Sequence, residues 1–485
     1  MIIKNNFLKR QYLQFKEQSL KKFIFYKSLR LVKSILELLV YVLILPIFFA
    51  IYFISFFYPI RFGKIHNNVV GHYIFDIEYY LSYKKKNKIK SLDLFFLVSN
   101  NSVNSYWDII VKRNLNVSFI YKYFFFIAKY FSKKNIVLLN PITVRDVKDV
   151  FHSTPTQIKF TKNEIEKGLN ILNKMGKGIN QKYICVVNRD DAYRKKYFGK
   201  NVIALSELSM IRHKHRNSNI EDYTKAINYF LEKGFFVIRM GKTTEKKLDI
   251  PNKNFIDYSY SEFKSDFLDI FLFYKSHLNL VSESGILLSS MIFRKPTCSV
   301  NCADVGGLQL WNNKHVVIFK KFWSKKRKKY LSLKEIIDLS KKGINSNLVE
   351  KDSRLLNEWK KKTNKYLFIS FNEFKRIHRG KIFTELDKDG KVTDDKFGMP
   401  MGNYGLLEFH RDKDIEIIDN TPEEIKDACE ELTKRISKEW DEKKEDRYLH
   451  EKFWNEYPKD LYVHGVIRSK IGTSFLKKNN FLLES

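Results

Sequence analysis

The chain has 485 residues, a formal net charge of +34 from 88 basic and 54 acidic side chains, and 15% aromatic residues. That length supports two or three domains, each able to bury a core, and the aromatic content argues against disorder as the default reading. The charge suits an anionic partner such as lipid headgroups or a phosphorylated substrate, while the lack of a basic block with interleaved aromatics argues against nucleic acid.

The first 34 residues are rich in Lys and Arg, and Leu38 to Ile60 carry no charged side chain. Twenty-three helical residues rise about 35 Å, enough to cross a hydrocarbon core, so residues 1–60 read as a basic N-terminus and membrane anchor. The basic start favours a cytoplasmic N-terminus. Pro46 sits mid-segment and Arg61 and Lys64 follow it, which leaves open a single span or a re-entrant hairpin. The expected location is the inner membrane, with the remaining lobes on its cytoplasmic face.

Residues 61–170 read as a first α/β lobe. Val69-Val70-Gly71-His72 looks like a strand end turning into a helix. Leu92 to Val98 is a strand, Trp107, Ile110 and Val111 mark a helix, and Val117 to Ile120 and Ile136 to Leu139 are further strands. Residues 171–340 repeat the alternation. Tyr183 to Val187 is a strand, and Ser218 with Glu221 forms a capping box before Ile220, Tyr223, Ile227, Phe230 and Leu231. Gly234 stops that helix, Phe235 to Ile238 is a strand, and Ser259 with Glu262 caps the next helix. His277 to Val281 and Thr297 to Val300 are strands flanking a helix at Ile286 to Ile292. Residues 341–485 read as an insertion around Lys381 to Asp414 and C-terminal helices, one opened by Thr421-Pro422 with Glu424 closing the box. Strands alternating with helices define a doubly wound α/β fold.

Ligands of open α/β sheets bind beyond the carboxyl ends of the strands. Three such ends in the second lobe carry chemistry: Arg189-Asp190, Arg239-Met240-Gly241-Lys242 and Ser282-Glu283-Ser284-Gly285. Arginines can hold a diphosphate bidentately, a small-residue loop opening a helix offers backbone N–H groups, and Glu283 can accept from a ribose diol. Each piece alone has a plain structural alternative: a surface pair, a turn, a helix start. Their coincidence in one lobe favours a nucleotide diphosphate site. His72 is the candidate base. Gly241-Lys242-Thr243 is no P-loop, because position 236 is Phe. His213 and His215 lie among cations, and the Asp387/Asp389 and Asp412/Asp414 pairs lie in a polar insertion, so no metal site is expected. Cys185, Cys298, Cys302 and Cys429 show neither zinc spacing nor a disulfide framework.

Arg189-Asp190 with Tyr193, Val237-Ile238-Arg239-Met240-Gly241, Ser284-Gly285 and Lys295-Pro296 together resemble a family of bacterial proteins assigned as glycosyltransferases. Gly71-His72, Asn420 to Ile425 and Ile471 to Leu476 fit that family as well. The resemblance implies a GT-B fold: two Rossmann-like lobes, the first for the acceptor and the second for a nucleotide-sugar donor. It also implies transfer to a glycan or lipid-linked acceptor in surface polysaccharide synthesis, with the nucleotide-sugar as substrate and no cofactor. The Ser-Glu-Ser-Gly loop is similar to the donor loop of heptosyltransferase-like and fucosyltransferase-like enzymes, but lacks their second Gly. Two rival readings are a non-catalytic membrane-tethered protein binding anionic lipid or nucleic acid, and a transferase of another activated group such as pyruvyl.

Overall fold

A computed structural model describes residues 20–131, 136–139, 145–146, 148–198, 214–337, 414–457, 459 and 465–484. Residues 381–413 of the expected insertion, with Asp387, Asp389 and Asp412 among them, lie outside the described residues, as do Arg212 and His213.

Helix α1 runs Leu20–Ile54 and continues through Pro46, so the chain makes no re-entrant hairpin there. Its window Leu31–Ile54 is long and apolar enough to cross a membrane, with mean hydropathy 2.5. The charge-free run does not end in helix as expected. Ile60 instead opens the first strand, β1 (Ile60–Ile65). The basic residues that looked like a membrane flank serve the sheet: Arg61 holds Asp93 on the neighbouring strand at 2.5 Å.

Helix α2 (Val70–Lys86), β2 (Leu92–Leu97), α3 (Ser105–Asn114), β3 (Asn116–Val117), α4 (Tyr121–Phe131) and β4 (Ile136–Leu139) complete the first lobe. Val69-Val70 is thus a helix start and not a strand end, and the strand expected at Val117 to Ile120 gives way to α4. The four strands are parallel in the order β3-β2-β1-β4.

After α5 (Lys162–Lys174) the second lobe is built from β5 (Tyr183–Val187), α6 (Ala192–Phe198), α7 (Thr224–Glu232), β6 (Phe236–Arg239), β7 (Phe255–Asp257), α8 (Asp266–Lys275), β8 (Leu278–Ser282), α9 (Leu287–Ile292), β9 (Thr297–Cys302) and β10 (His315–Phe319). Gly234 ends α7 with φ +80°, a conformation open to Gly at no steric cost. Two caps differ from expectation. The Ser218 hydroxyl bonds the Tyr223 hydroxyl and leaves no capping box. Ser265, not Ser259, caps α8.

The second sheet runs β7-β6-β5-β8-β9-β10, extended by β14 (Lys470–Ile471) from the C-terminal segment. Numbered within the lobe, that is the 3-2-1-4-5-6 order of a nucleotide-binding doubly wound sheet, and the first sheet is its 3-2-1-4 half. A small antiparallel sheet, β12 (Lys329–Tyr330), β11 (Lys321–Ser324) and β13 (Ile415–Ile418), joins residues on either side of the insertion. The C-terminal helices α10 (Pro422–Ser437), α11 (Lys444–Glu456) and α12 (Thr473–Lys478) pack onto the second lobe, with Ile425, Ala428 and Leu432 in its core. Thr421 and Glu424 form the expected capping box of α10.

The architecture is therefore GT-B-like: two Rossmann-ordered lobes, an N-terminal apolar helix and a C-terminal helical extension. Several contacts bind the lobes together. Arg294 pairs with the fully buried Glu78 at 2.9 Å. Asp266 accepts from the Ser105 backbone N–H and hydroxyl. Gly71 at the start of α2 meets Gly285 before α9: a Cβ on Gly285 would come within 2.9 Å of Val70 Cγ1 and 3.2 Å of the Gly71 nitrogen. Gly285→Ala is expected to force the lobes apart and to destabilise the chain by about 1–3 kcal/mol, the scale of overpacking, read as a lowered thermal midpoint.

Candidate functional site

A topological switch point lies where neighbouring strands leave in opposite directions, opening a crevice at their carboxyl ends. In the first sheet it falls between β1 and β4, and in the second between β5 and β8. The loop after β1 and the loops after β5 and β8 line one cavity of about 620 Å³. That volume suits a nucleotide-sized ligand.

The first lobe contributes the opening turn of α2. Val69 at its N-cap is extended and makes no side-chain cap, so the orphan N–H groups of that turn bring partial positive charge to the cavity wall. His72 lies in this turn and lines the cavity. Its Nδ1 sits 3.2 Å from Asp76 Oδ2, one helical turn on. A carboxylate holding Nδ1–H leaves Nε2 as the proton acceptor.

Arg189 follows β5. Its Nε donates to Asn217 at 3.2 Å, and its terminal Nη2 is buried with no partner among the described residues. Burial, then Arg216 and Arg194, push it down to about 9, still protonated at neutral pH. A buried guanidinium crowded by like charges is a site arranged for an anion. Arg194, Arg216 and Arg145 line the same cavity.

The other expected residues are tied to partners of their own, and of them Asp190, Gly241, Lys242 and Glu283 still line the cavity. Asp190 lines the cavity, but its two oxygens accept from the backbone N–H groups of Ala192 and Glu245, at 3.0 and 2.9 Å. Asp190 therefore staples this loop. Arg239 is fully buried and turned away from the cavity, against Asp257 at 2.9 Å and Ser259. Its assignment to the donor is corrected: the register sets Asp257 directly beside it on β7. Lys242 bridges the lobes, donating to the Val103 carbonyl at 2.8 Å and to Asp266 at 2.9 Å. Gly241 has Thr244 packed where a Cβ would be, so its missing side chain makes room for this turn.

Glu283 is also committed. One carboxylate oxygen pairs with Arg216 Nε at 2.8 Å, and the other accepts from the backbone N–H groups of Ala303 and Asp304. Burial opposes its charge, yet Arg216 and those donors hold it below the usual range. Glu283 lines the cavity, and these partners hold its carboxylate in place there. Ser282 is buried in β8 behind the loop, whereas Ser284 and Gly285 line the cavity.

Asp304, Arg145 and Asp76 were not singled out from the sequence. Asp304 follows β9 just as Arg189 follows β5, so the same strand-end rule reaches it. Burial and then Glu283 push Asp304 up to about 7, and its Oδ1 has no hydrogen-bond partner among the described residues. Because the folded state holds that proton more tightly than the unfolded chain, stability from this group is present at low pH and is lost as pH rises through about 7. Asp304→Asn is expected to flatten the fall in thermal midpoint between about pH 4 and 7. An unchanged pH profile would remove Asp304 as its source.

No family model matches the chain, and no curated protein matches it. Among solved structures it is similar to the iron-containing dodecameric glycosyltransferase TibC from enterotoxigenic E. coli H10407, at 10% identity over 53% of this chain and 63% of that one, with TM-score 0.31. It is also similar to the ADP-heptose LPS heptosyltransferase II of E. coli, at 10% identity over 54% of this chain and 90% of that one, with TM-score 0.34. The chain thus spans less than two thirds of the length of TibC. The two lobes are defined by their strand order.

Proposed function

We propose that the chain is a glycosyltransferase, moving a sugar from a nucleotide-sugar donor to an acceptor hydroxyl on a glycan or lipid-linked carrier during surface polysaccharide synthesis. One observation carries the proposal. The switch points of two Rossmann-ordered sheets open onto a single cavity, with the crowded guanidinium of Arg189 on one wall and the His72–Asp76 pair on the other. Arg189, with Arg194 and Arg216 beside it, neutralises the diphosphate as it leaves the sugar. The Ser284-Gly285 loop offers backbone donors, and His72 takes the proton of the attacking hydroxyl. With arginines supplying the charge, transfer needs no metal ion. A non-catalytic tether would place its cations on one outer face, and the arginines in the cleft favour the enzyme.

The test is thermal stabilisation of the full chain by a panel of nucleotide sugars and nucleoside diphosphates. At least one is expected to raise the midpoint. Arg189→Ala is expected to weaken that ligand by about 1.5–3 kcal/mol, the scale of hydrogen bonds to a charged group. Stabilisation by no member of the panel, or equal affinity in Arg189→Ala, would remove the donor site.

A further inference from the structure

We propose that α1 lies along one leaflet of a membrane, beside the first lobe, and does not cross the bilayer. The apolar window Leu31–Ile54 is 24 residues long, about 36 Å of helix, which by length alone would span. Its C-terminal half is not free to do so. Ile44 and Phe48 are buried against Phe62, Leu94, Phe96, Phe124 and Phe125 of the first lobe, with Tyr41 and Tyr52 packed beside them. Residues 41, 44, 48 and 52 recur at helical spacing, so one stripe of α1 is docked on the sheet and on α4. Tyr41 meets Tyr123 of α4 edge-on, with ring centroids 5.2 Å apart. Ile44 lies ten residues, about 15 Å, before the helix end, and a perpendicular span would drag β1, β2 and α4 into hydrocarbon.

The N-terminal half, exposed along Leu31 to Leu36 and at Leu38 and Leu39, cannot span either. Residues 20–39 contain Lys21, Lys22, Lys27, Arg30, Lys33 and Glu37, too many charges for twenty residues in a bilayer core. No stretch of α1 is both clear of the lobe and free of charge for the length of a membrane.

The outer face of the docked half is what lipid would cover. Leu43 is 72% exposed and Phe57 79%, with Val42, Ile47 and Phe53 also exposed along the same helix and turn. The approach to α4 adds Phe119, 77% exposed, and α4 itself adds Phe126. Leu43, Val42, Ile47 and Phe53 belong to the apolar window itself, and basic residues stand on the elements that carry this surface: Lys33 on α1 and Lys122 over the Tyr123 ring on α4. Apolar residues beside lysines, on a chain of net charge +34, fit a leaflet with anionic headgroups. In this arrangement both halves of the chain stay on one side of the membrane.

The full chain tests this in two ways. In flotation with vesicles of phosphatidylglycerol and phosphatidylethanolamine, Phe57→Ser with Phe119→Ser is expected to lower partitioning at least tenfold, since each exchange removes one inserted ring. Neither ring is part of a buried core, so the thermal midpoint is expected to hold. If partitioning is unchanged while a dimer becomes a monomer, a second copy covers this face and the proposal is overturned. The second arm uses the fact that all four native cysteines are buried. Ser28→Cys and Ser437→Cys, probed in sealed cells with a membrane-impermeant maleimide, are expected to react from the same side. Reaction from opposite sides means α1 crosses the bilayer and overturns the proposal, whatever the donor site binds.

Discussion

Arg239→Ala is expected to cost the fold about 3–5 kcal/mol, the penalty for removing one partner of a buried ion pair. The side chain has no solvent exposure and sits at the end of β6. One terminal nitrogen donates to Asp257 at 2.9 Å, Ser259 at 2.9 Å, the Lys246 carbonyl at 3.0 Å and Thr244 at 3.1 Å. The other reaches Asn188 at 3.3 Å. Truncation strands the Asp257 carboxylate in the interior and frees the loop after Gly241 from the end of the sheet. Arg239→Lys is expected to recover part of the loss, because it keeps the charge without the planar fork. Urea unfolding measures both. A variant of ordinary stability that binds nucleotide poorly would instead place the guanidinium on the ligand.

His72→Ala is expected to lower kcat by about 10²–10⁴, the usual contribution of a positioned general base, with nucleotide affinity unchanged. The split follows from the geometry. His72 belongs to the first lobe, and Arg189 reaches the cavity from the second. Asp76→Asn is expected to give a smaller loss, by weakening the preference for the tautomer that leaves Nε2 unprotonated. The check is a steady-state assay with the donor found by thermal stabilisation. Full turnover in His72→Ala would leave the first lobe without its base.

The parts of the fold that were legible are those where a single local rule decides. Tyr183 to Val187 is five strand-forming residues in a row, and all five are buried in β5. Thr421, Pro422 and Glu424 each occupy the position their chemistry demands. Residues 60–65 failed because two rules competed. Arg61 and Lys64 next to an apolar run look like a membrane boundary, and only the neighbouring strand, with Asp93, shows that Arg61 is a sheet residue. The site divided along the same line. The strand-end rule reached Arg189 because position alone matters there, and applied after Cys302 it also reaches Asp304. It misplaced Arg239 because the partner, Asp257, is eighteen residues away and comes alongside only through β-sheet register. It reached Glu283 at the cavity but not its partners, since Arg216 and the amides after β9 arrive from other parts of the chain. His72 with Asp76 is an i, i+4 pair, visible once the helix is started at Val70 and invisible while Val69-Val70 is taken for a strand.

The meeting of Gly71 with Gly285 has a consequence for selectivity. The two walls of the cavity meet at two glycines, with only Val70 and Leu288 side chains packed beside the backbone contact, so neither wall can take a larger residue there without moving. A ligand with a bulkier substituent gains room only if the lobes part, and parting means breaking the Arg294–Glu78 pair, the Asp266 bonds to Ser105 and the Lys242 bridge to Val103 together. The joint thus ties the room inside the cavity to the integrity of those contacts.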